Sequence, residues 1–176
     1  EIAAAKPQAV YSFFAGGGAA KFIKDYAAAG LAGSVPLWGP GFLTDGVEKA
    51  VGAAGDGIRT VLHYADGLDN PENKAFIKAF EAAHGIAPDV YAVQGWDAMQ
   101  VLDIGLKAVD GDTAKKDAMH AAMAAAKFAS PRGPFEFSAS RNPKQNFYAR
   151  ELKDGKNRMT GTAAAMLADS GKGCRA

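Results

Sequence analysis

Apolar and polar residues fall along this chain in a pattern whose period changes repeatedly. Over residues 8–15 the apolar and β-favouring side chains Val10, Tyr11, Phe13 and Phe14 sit close together and end at Gly16-Gly17-Gly18. Such a run marks a strand buried on both faces, as in a parallel sheet. From residue 19 to about 29 the spacing becomes helical: Ala19, Phe22, Ile23, Tyr26 and Ala27 make one stripe, with Lys21, Lys24 and Asp25 outside it, and Gly30 supplies the stop. The pattern then repeats. Residues 35–38 form a second short strand closed by Gly39-Pro40-Gly41. Thr44 caps a helix running to about Ala54, Gly55 ends it, and residues 58–64 form a third strand. Strand, helix, strand, helix, strand implies an α/β parallel sheet with right-handed crossovers.

After Tyr64 the character changes. Residues 65–71 are a polar, turn-forming linker, and Asn70-Pro71 opens a helix with a cap residue followed by proline at the first helical position. Phe76, Ala79, Phe80 and Ala83 fall on one face of it. The next helix starts near Pro88-Asp89 and runs to about Val109. It is apolar except for a narrow stripe of Asp89, Asp97, Gln100, Asp103 and Lys107, so it demands more partner surface than a short chain offers. A third helix, capped by Asp112, covers 113–127. The period then shortens to two: residues 134–138 alternate, and 147–152 and 158–160 flank Lys153-Asp154-Gly155-Lys156-Asn157, a hairpin signal. The last ten residues read as a loose tail. Glu1 to Lys6 reads as the end of a helix stopped by Pro7, which implies a start within a domain and a leader, if any, upstream.

Composition narrows the function classes. With 176 residues, 48% hydrophobic and 22% charged, the chain suits a packed globular protein. A net charge of +1 with scattered basic residues argues against a nucleic-acid partner. No apolar run approaches the roughly 18 residues of a membrane span. Cys174 is the single cysteine. It is either a tail thiol or half of a disulfide to an upstream cysteine in an oxidising compartment.

Catalytic chemistry does not assemble. Gly16-Gly17-Gly18 opens a helix after a strand, but it has neither the phosphate-loop spacing nor the dinucleotide fingerprint. His63, His84 and His120 fall in different elements without metal-ligand spacing. Asp66 and Asp69 suit turn and cap roles. No nucleophile elbow is present, so neither a cofactor nor an enzymatic activity is expected. What remains is geometric: Phe14-Ala15-Gly16, Gly39-Pro40-Gly41-Phe42 and His63-Tyr64 all end strands of one parallel sheet, the edge where open α/β sheets bind ligands. Glycine and aromatic residues there suit a flat or apolar ligand whose carboxylate meets backbone N–H groups. Phe14 serves such an edge either as ligand contact or as packing; Tyr64, leaving the sheet for a linker, leans towards contact.

Several ordered motifs carry a resemblance: Lys6-Pro7-Gln8-Ala9-Val10, Gly16-Gly17, Ala28-Ala29-Gly30-Leu31, Pro36-Leu37-Trp38-Gly39, Pro88-Asp89-Val90-Tyr91-Ala92, Gly95-Trp96-Asp97-Ala98, and Ser130-Pro131-Arg132-Gly133-Pro134-Phe135 followed by Asn142-Pro143. In order and spacing they resemble the C-terminal portion of the leucine/isoleucine/valine-type (type I) periplasmic substrate-binding proteins of ABC importers. The resemblance implies a two-lobed Venus-flytrap fold, a periplasmic location, and three partners: a small-molecule ligand, a membrane permease and the upstream first lobe of the same protein. It implies second-lobe core over 1–64, a hinge crossing over 65–69, first-lobe helices over 70–133, a return crossing and second-lobe hairpin over 134–162, and a tail over 163–176.

Amino-acid binders of this family place an aromatic hydroxyl after the first of these strands and a carboxylate after the second, to hold the ligand ammonium. The corresponding residues here are Ala15 and Gly41. The resemblance is therefore strongest to the aromatic-acid subgroup, and the expected ligand carries a carboxylate but no α-amino group. Alternatives are a branched-chain amino acid binder, a ligand-sensing regulatory domain of the same fold, and, disfavoured by the missing catalytic groups, a flavodoxin-like or Rossmann-like enzyme.

Overall fold

A computed structural model describes residues 1–173; Cys174 lies outside them. The chain divides into two compact units, Glu1–Gly67 with Phe147–Ala163, and Leu68–Asn146 with the segment from Ala164 onward.

In the first unit a short helix α1 (Ile2–Ala5) ends at Lys6 in a left-handed conformation. Strands β1 (Val10–Tyr11), β2 (Leu37–Pro40) and β3 (Arg59–Leu62) are parallel, with Val10 beside Leu37 and Trp38 beside Arg59. Helix α2 (Gly16–Ala28) crosses from β1 to β2. Its Ala19, Ile23 and Tyr26 pack with Leu37, Leu43, Val47, Val51, Ile58 and Leu152 into one core. The Tyr26 hydroxyl donates to the Val35 carbonyl at 2.9 Å. Burial on both faces is expected of the first strand, yet its Tyr11 is exposed; the other two strands likewise cover one face, with Leu37, Thr60 and Leu62 buried while Trp38 and Val61 are exposed.

The helix expected over 44–54 breaks into a 3₁₀ turn at Gly41–Leu43, helix α3 (Glu48–Val51) and another 3₁₀ turn at Gly52–Gly55. Gly46 and Gly52 hold positive φ (79° and 52°), which a continuous right-handed helix excludes. Thr44 therefore caps no helix start: it closes the 3₁₀ turn, and its hydroxyl donates to Asn157 Oδ1 at 2.6 Å.

The second unit begins with helix α4 (Pro71–His84), capped by Asn70, which accepts from the Asn73 N–H at 2.7 Å, and closed by left-handed Gly85. Helix α5 (Val90–Ala108) is capped by Asp89. Helix α6 (Lys116–Ala124) is shorter than expected: Asp112 caps only a turn, at Ala114, and Lys127 already opens strand β4 (Lys127–Ser130). Strand β5 (Gly133–Phe137) pairs antiparallel with β4, setting Phe128 opposite Phe135. Val101, Ala126 and Phe135 form the small core, with Ile104, Met123, Phe128 and Phe137 around it. Gly105 lets α6 approach closely, because a Cβ there would lie 2.6 Å from Met123 Cγ. Tyr91, Trp96 and Met99 on α5 stay exposed, as expected of a helix with too much apolar surface. Asp97 does not belong to its polar stripe: it is buried, paired with Arg132.

Strand β6 (Pro143–Lys153) enters the first unit antiparallel to β3, with Leu62 beside Tyr148 and Arg59 beside Glu151. Asp154-Gly155 then turns the chain into β7 (Lys156–Leu167) with both φ positive (52° and 69°), the two-residue hairpin geometry the Asp-Gly pair favours. Strand β7 continues well beyond Thr160, into residues expected to belong to the tail.

Candidate ligand-binding site

Because β1, β2 and β3 are parallel and in register, their C-terminal ends share one edge of the first unit. Phe14 follows β1, is 43% exposed, and stacks on Phe22 of α2 with ring centroids 4.7 Å apart. The packing expected of it is present, and part of the ring remains accessible. Ala15 is the N-cap of α2 and supplies no capping side chain; Gly16 is the first helical residue, and both are exposed. The first-turn N–H groups of α2 therefore lack a side-chain acceptor from the cap, a local positive pole for an anion.

Gly41 follows β2 and is buried. A Cβ built on it would lie 2.7 Å from Leu62 Cβ, Cδ1 and Cδ2. Phe42 beside it is partly exposed. His63 and Tyr64 follow β3, and both are buried. The His63 ring meets Phe147 edge-on at 6.5 Å. Tyr64, at 2% exposure, offers the edge almost no side-chain surface. All seven expected residues thus belong to this edge. Phe14, Ala15 and Gly16 are exposed and Phe42 partly so, while Gly41, His63 and Tyr64 are buried. His84 and His120 are exposed elsewhere, in the second unit.

Sequence reasoning missed the polar cluster beneath the edge. Arg150 on β6 is 1% exposed. Its Nη1 donates to Asp45 Oδ1 at 3.1 Å and to the Tyr64 carbonyl at 2.9 Å, and its Nη2 donates to Asp45 Oδ2 at 2.6 Å. Nε and Nη2 also reach Thr60 Oγ1, at 3.1 and 3.0 Å. Nearby, Asn157 donates from Nδ2 to Glu48 Oε1 at 2.9 Å and from its backbone N–H to Asp66 Oδ2 at 2.8 Å. Burial pushes the Glu48 carboxyl above its usual range; hydrogen bonds from its own and the Gly46 backbone pull it back, while Asp45 and Asp66 add to the rise. A signal was available. Alternation along 147–152 puts Arg150 on the same face as Tyr148 and Leu152, and an arginine on an apolar face requires a carboxylate partner.

The second unit holds a comparable pair. Arg132 Nε donates to Asp97 Oδ2 at 2.6 Å, and the Ser130 hydroxyl to the same oxygen at 2.9 Å. Burial raises the Asp97 carboxyl, and Arg132 and Ser130 oppose the rise. Among the described residues no group of three His, Cys, Asp or Glu could hold a metal ion, and no helix is long and apolar enough to cross a membrane.

A parallel α/β sheet whose strand ends present apolar and aromatic surface beside an uncapped helix start has the form of the edges at which open α/β sheets take ligands. The chain belongs to the periplasmic binding protein family, whose family model matches residues 1–157, and its fold is that of the type I members. It is 34% identical over 153 residues to Leu/Ile/Val-binding protein homolog 6 of Brucella abortus (strain 2308), covering 82% of this chain and 38% of that protein. It is 66% identical to an ABC transporter solute-binding protein from R. palustris solved in complex with benzoate, with a TM-score of 0.93 over 99% of this chain and 48% of the other. A second solute-binding protein, from Rhodopseudomonas palustris BisB5 with 3,4-dihydroxybenzoic acid, shares 31% identity and a TM-score of 0.85 over 97% of this chain and 48% of its own. The chain thus spans about half the length of these solved relatives.

Proposed function

We propose that this chain is part of a periplasmic solute-binding protein that captures a small aromatic carboxylate without an α-amino group and delivers it to the permease of an ABC importer. The observation that carries this reading is Gly41. It occupies the place where amino-acid binders of the family hold the ligand ammonium with a carboxylate, and its α-carbon packs so closely on Leu62 that a side chain has no room. Ala15 likewise brings no hydroxyl. An ammonium desolvated against this edge without a counter-charge costs several kcal/mol, on the order of an unpaired buried ion. Benzoate and 3,4-dihydroxybenzoic acid, bound by the two R. palustris relatives, belong to the class that avoids that cost.

In this reading Phe14 and Phe42 flank the ring, and the backbone around Ala15 and Gly16 meets the carboxylate. Gly41, His63 and Tyr64 form the floor. Residues 1–64 serve as second-lobe core, 65–69 as a hinge crossing, 70–133 as first-lobe helices, 134–162 as return crossing and hairpin, and 163–176 as tail. An upstream first lobe closes over the ligand by hinge motion. The protein carries its ligand without turnover.

Thermal unfolding of the full-length protein tests the reading. Benzoate, 4-hydroxybenzoate and 3,4-dihydroxybenzoate at about 100 times Kd should each add about 2.7 kcal/mol of stability, a shift of several degrees in Tm. Stabilisation by leucine, isoleucine or valine, with none by the benzoates, would make it a branched-chain amino acid binder instead.

A further inference from the structure

We propose that Arg150 is a positioning residue for the ligand, fixing the spacing between the loop after β2 and the loop after β3 from within the core. The inference rests on the aromatic-acid reading of that edge. Arg150 is too buried to touch ligand, and its guanidinium is spent on three separate chain segments. One is Asp45, whose two carboxylate oxygens take Nη1 and Nη2. Asp45 is locked to the first loop in turn, because its own N–H and that of Thr44 both donate to the Gly41 carbonyl at 3.0 Å. The second segment is the Tyr64 carbonyl, the backbone of the other loop. The third is the Thr60 hydroxyl on β3. A planar fork satisfies these acceptors together; a lysine, with one nitrogen, cannot.

A second strut lies beside the first. Asn157 on β7 receives the Thr44 hydroxyl, donates to Glu48 and hydrogen-bonds Asp66 through its backbone, so the same two loops are tied again. The β6–β7 hairpin, far along the chain from either loop, therefore braces both. Stability by itself does not require charge at this place: a buried ion pair replaced by apolar residues of similar volume is commonly as stable as the original or more so. What apolar residues cannot do is hold the Tyr64 carbonyl and the Gly41 turn at a fixed separation.

The test uses the full-length protein, with benzoate as probe and calorimetry as readout. Asp45→Leu/Arg150→Met should keep a Tm close to that of the unsubstituted protein yet weaken benzoate binding about tenfold or more. It should also change the ratio of benzoate to 4-hydroxybenzoate affinity, which a purely structural role would leave alone. Arg150→Lys, which keeps the charge opposite Asp45 and loses the fork, guards against a misfolded double variant; it should stay folded with a lowered Tm and bind benzoate several-fold more weakly. Folded variants with unaltered affinity and an unaltered ratio would overturn the proposal. Absence of benzoate binding by the unsubstituted protein would instead remove the reading beneath it.

Discussion

Among the described residues, each unit buries one arginine against one aspartate, and the two pairs differ in how completely they are satisfied. Arg150 donates to both oxygens of Asp45, to a hydroxyl and to a backbone carbonyl. In the Arg132 pair, Asp97 Oδ2 accepts from Ser130 and from Arg132 Nε, while the buried Oδ1 has no hydrogen-bond partner. The Arg132 guanidinium also lies 5.0 Å from the centre of the Phe135 ring. An incompletely satisfied pair is a fold clamp, joining α5 to the turn between β4 and β5. A fully satisfied one, with acceptors in the loops after β2 and β3, ties those loops together, as the positioning role proposed for Arg150 requires. The two pairs thus differ both in how fully their polar atoms are used and in which segments they join.

The largest expected effect breaks the better pair. Arg150→Met alone leaves Asp45 buried without its cation and should cost about 3–5 kcal/mol in denaturant unfolding. Adding Asp45→Leu should recover most of that loss, and a failure to recover would show that the network, not the charge, carries the stability. A smaller effect sharpens the comparison through the hydroxyls. Thr60→Val leaves guanidinium N–H groups unpaired in the core and should cost roughly 1.5–3 kcal/mol. Ser130→Ala leaves Asp97 Oδ2 with Arg132 as partner and removes an acceptor of the Arg132 backbone N–H, and should cost about 1–1.5 kcal/mol. The reverse order would contradict the assignment of the first pair as the more completely used.

The smallest effect depends on pH. Burial raises the folded-state pKa of Glu48 above its unfolded value, so its ionised form works against folding at neutral pH, and that cost disappears as pH falls through the raised value. Glu48→Gln keeps an oxygen to accept from Asn157 and removes the charge. It should raise Tm at pH 7 by roughly 1–2 °C, with the gain vanishing in mild acid. A gain that grew on acidification would have the wrong sign.

What the sequence made legible was local or periodic. The βαβαβ order follows from apolar runs punctuated by glycine. The start of α4 follows from Asn70-Pro71, and the late hairpin from Asp154-Gly155. The misses share another cause. Strand β4 is fixed by cross-strand pairing with β5 rather than by its own residues, so the helical pattern over 113–127 gives no sign of where it begins. The helix over 44–54 fails because Gly46 and Gly52 take backbone angles that periodicity does not reveal. Asp97 looked solvent-facing because its partner lies 35 positions away, and Arg150 reaches across 105 positions to Asp45. Strand-edge residues could be placed because each follows its own strand; the residues that brace them could not, because long-range polar contacts leave only a weak mark on the sequence.

The central claim is that this edge accepts a carboxylate and offers nothing to an α-ammonium. Displacement of benzoate from the full-length protein by phenylacetate and by phenylglycine, which differ only in the α-amino group, tests it most directly. Phenylacetate should displace benzoate at a concentration at least about tenfold lower than phenylglycine, the least that an unpaired ammonium at about 1.4 kcal/mol per decade predicts. Equal or stronger displacement by phenylglycine would contradict the account.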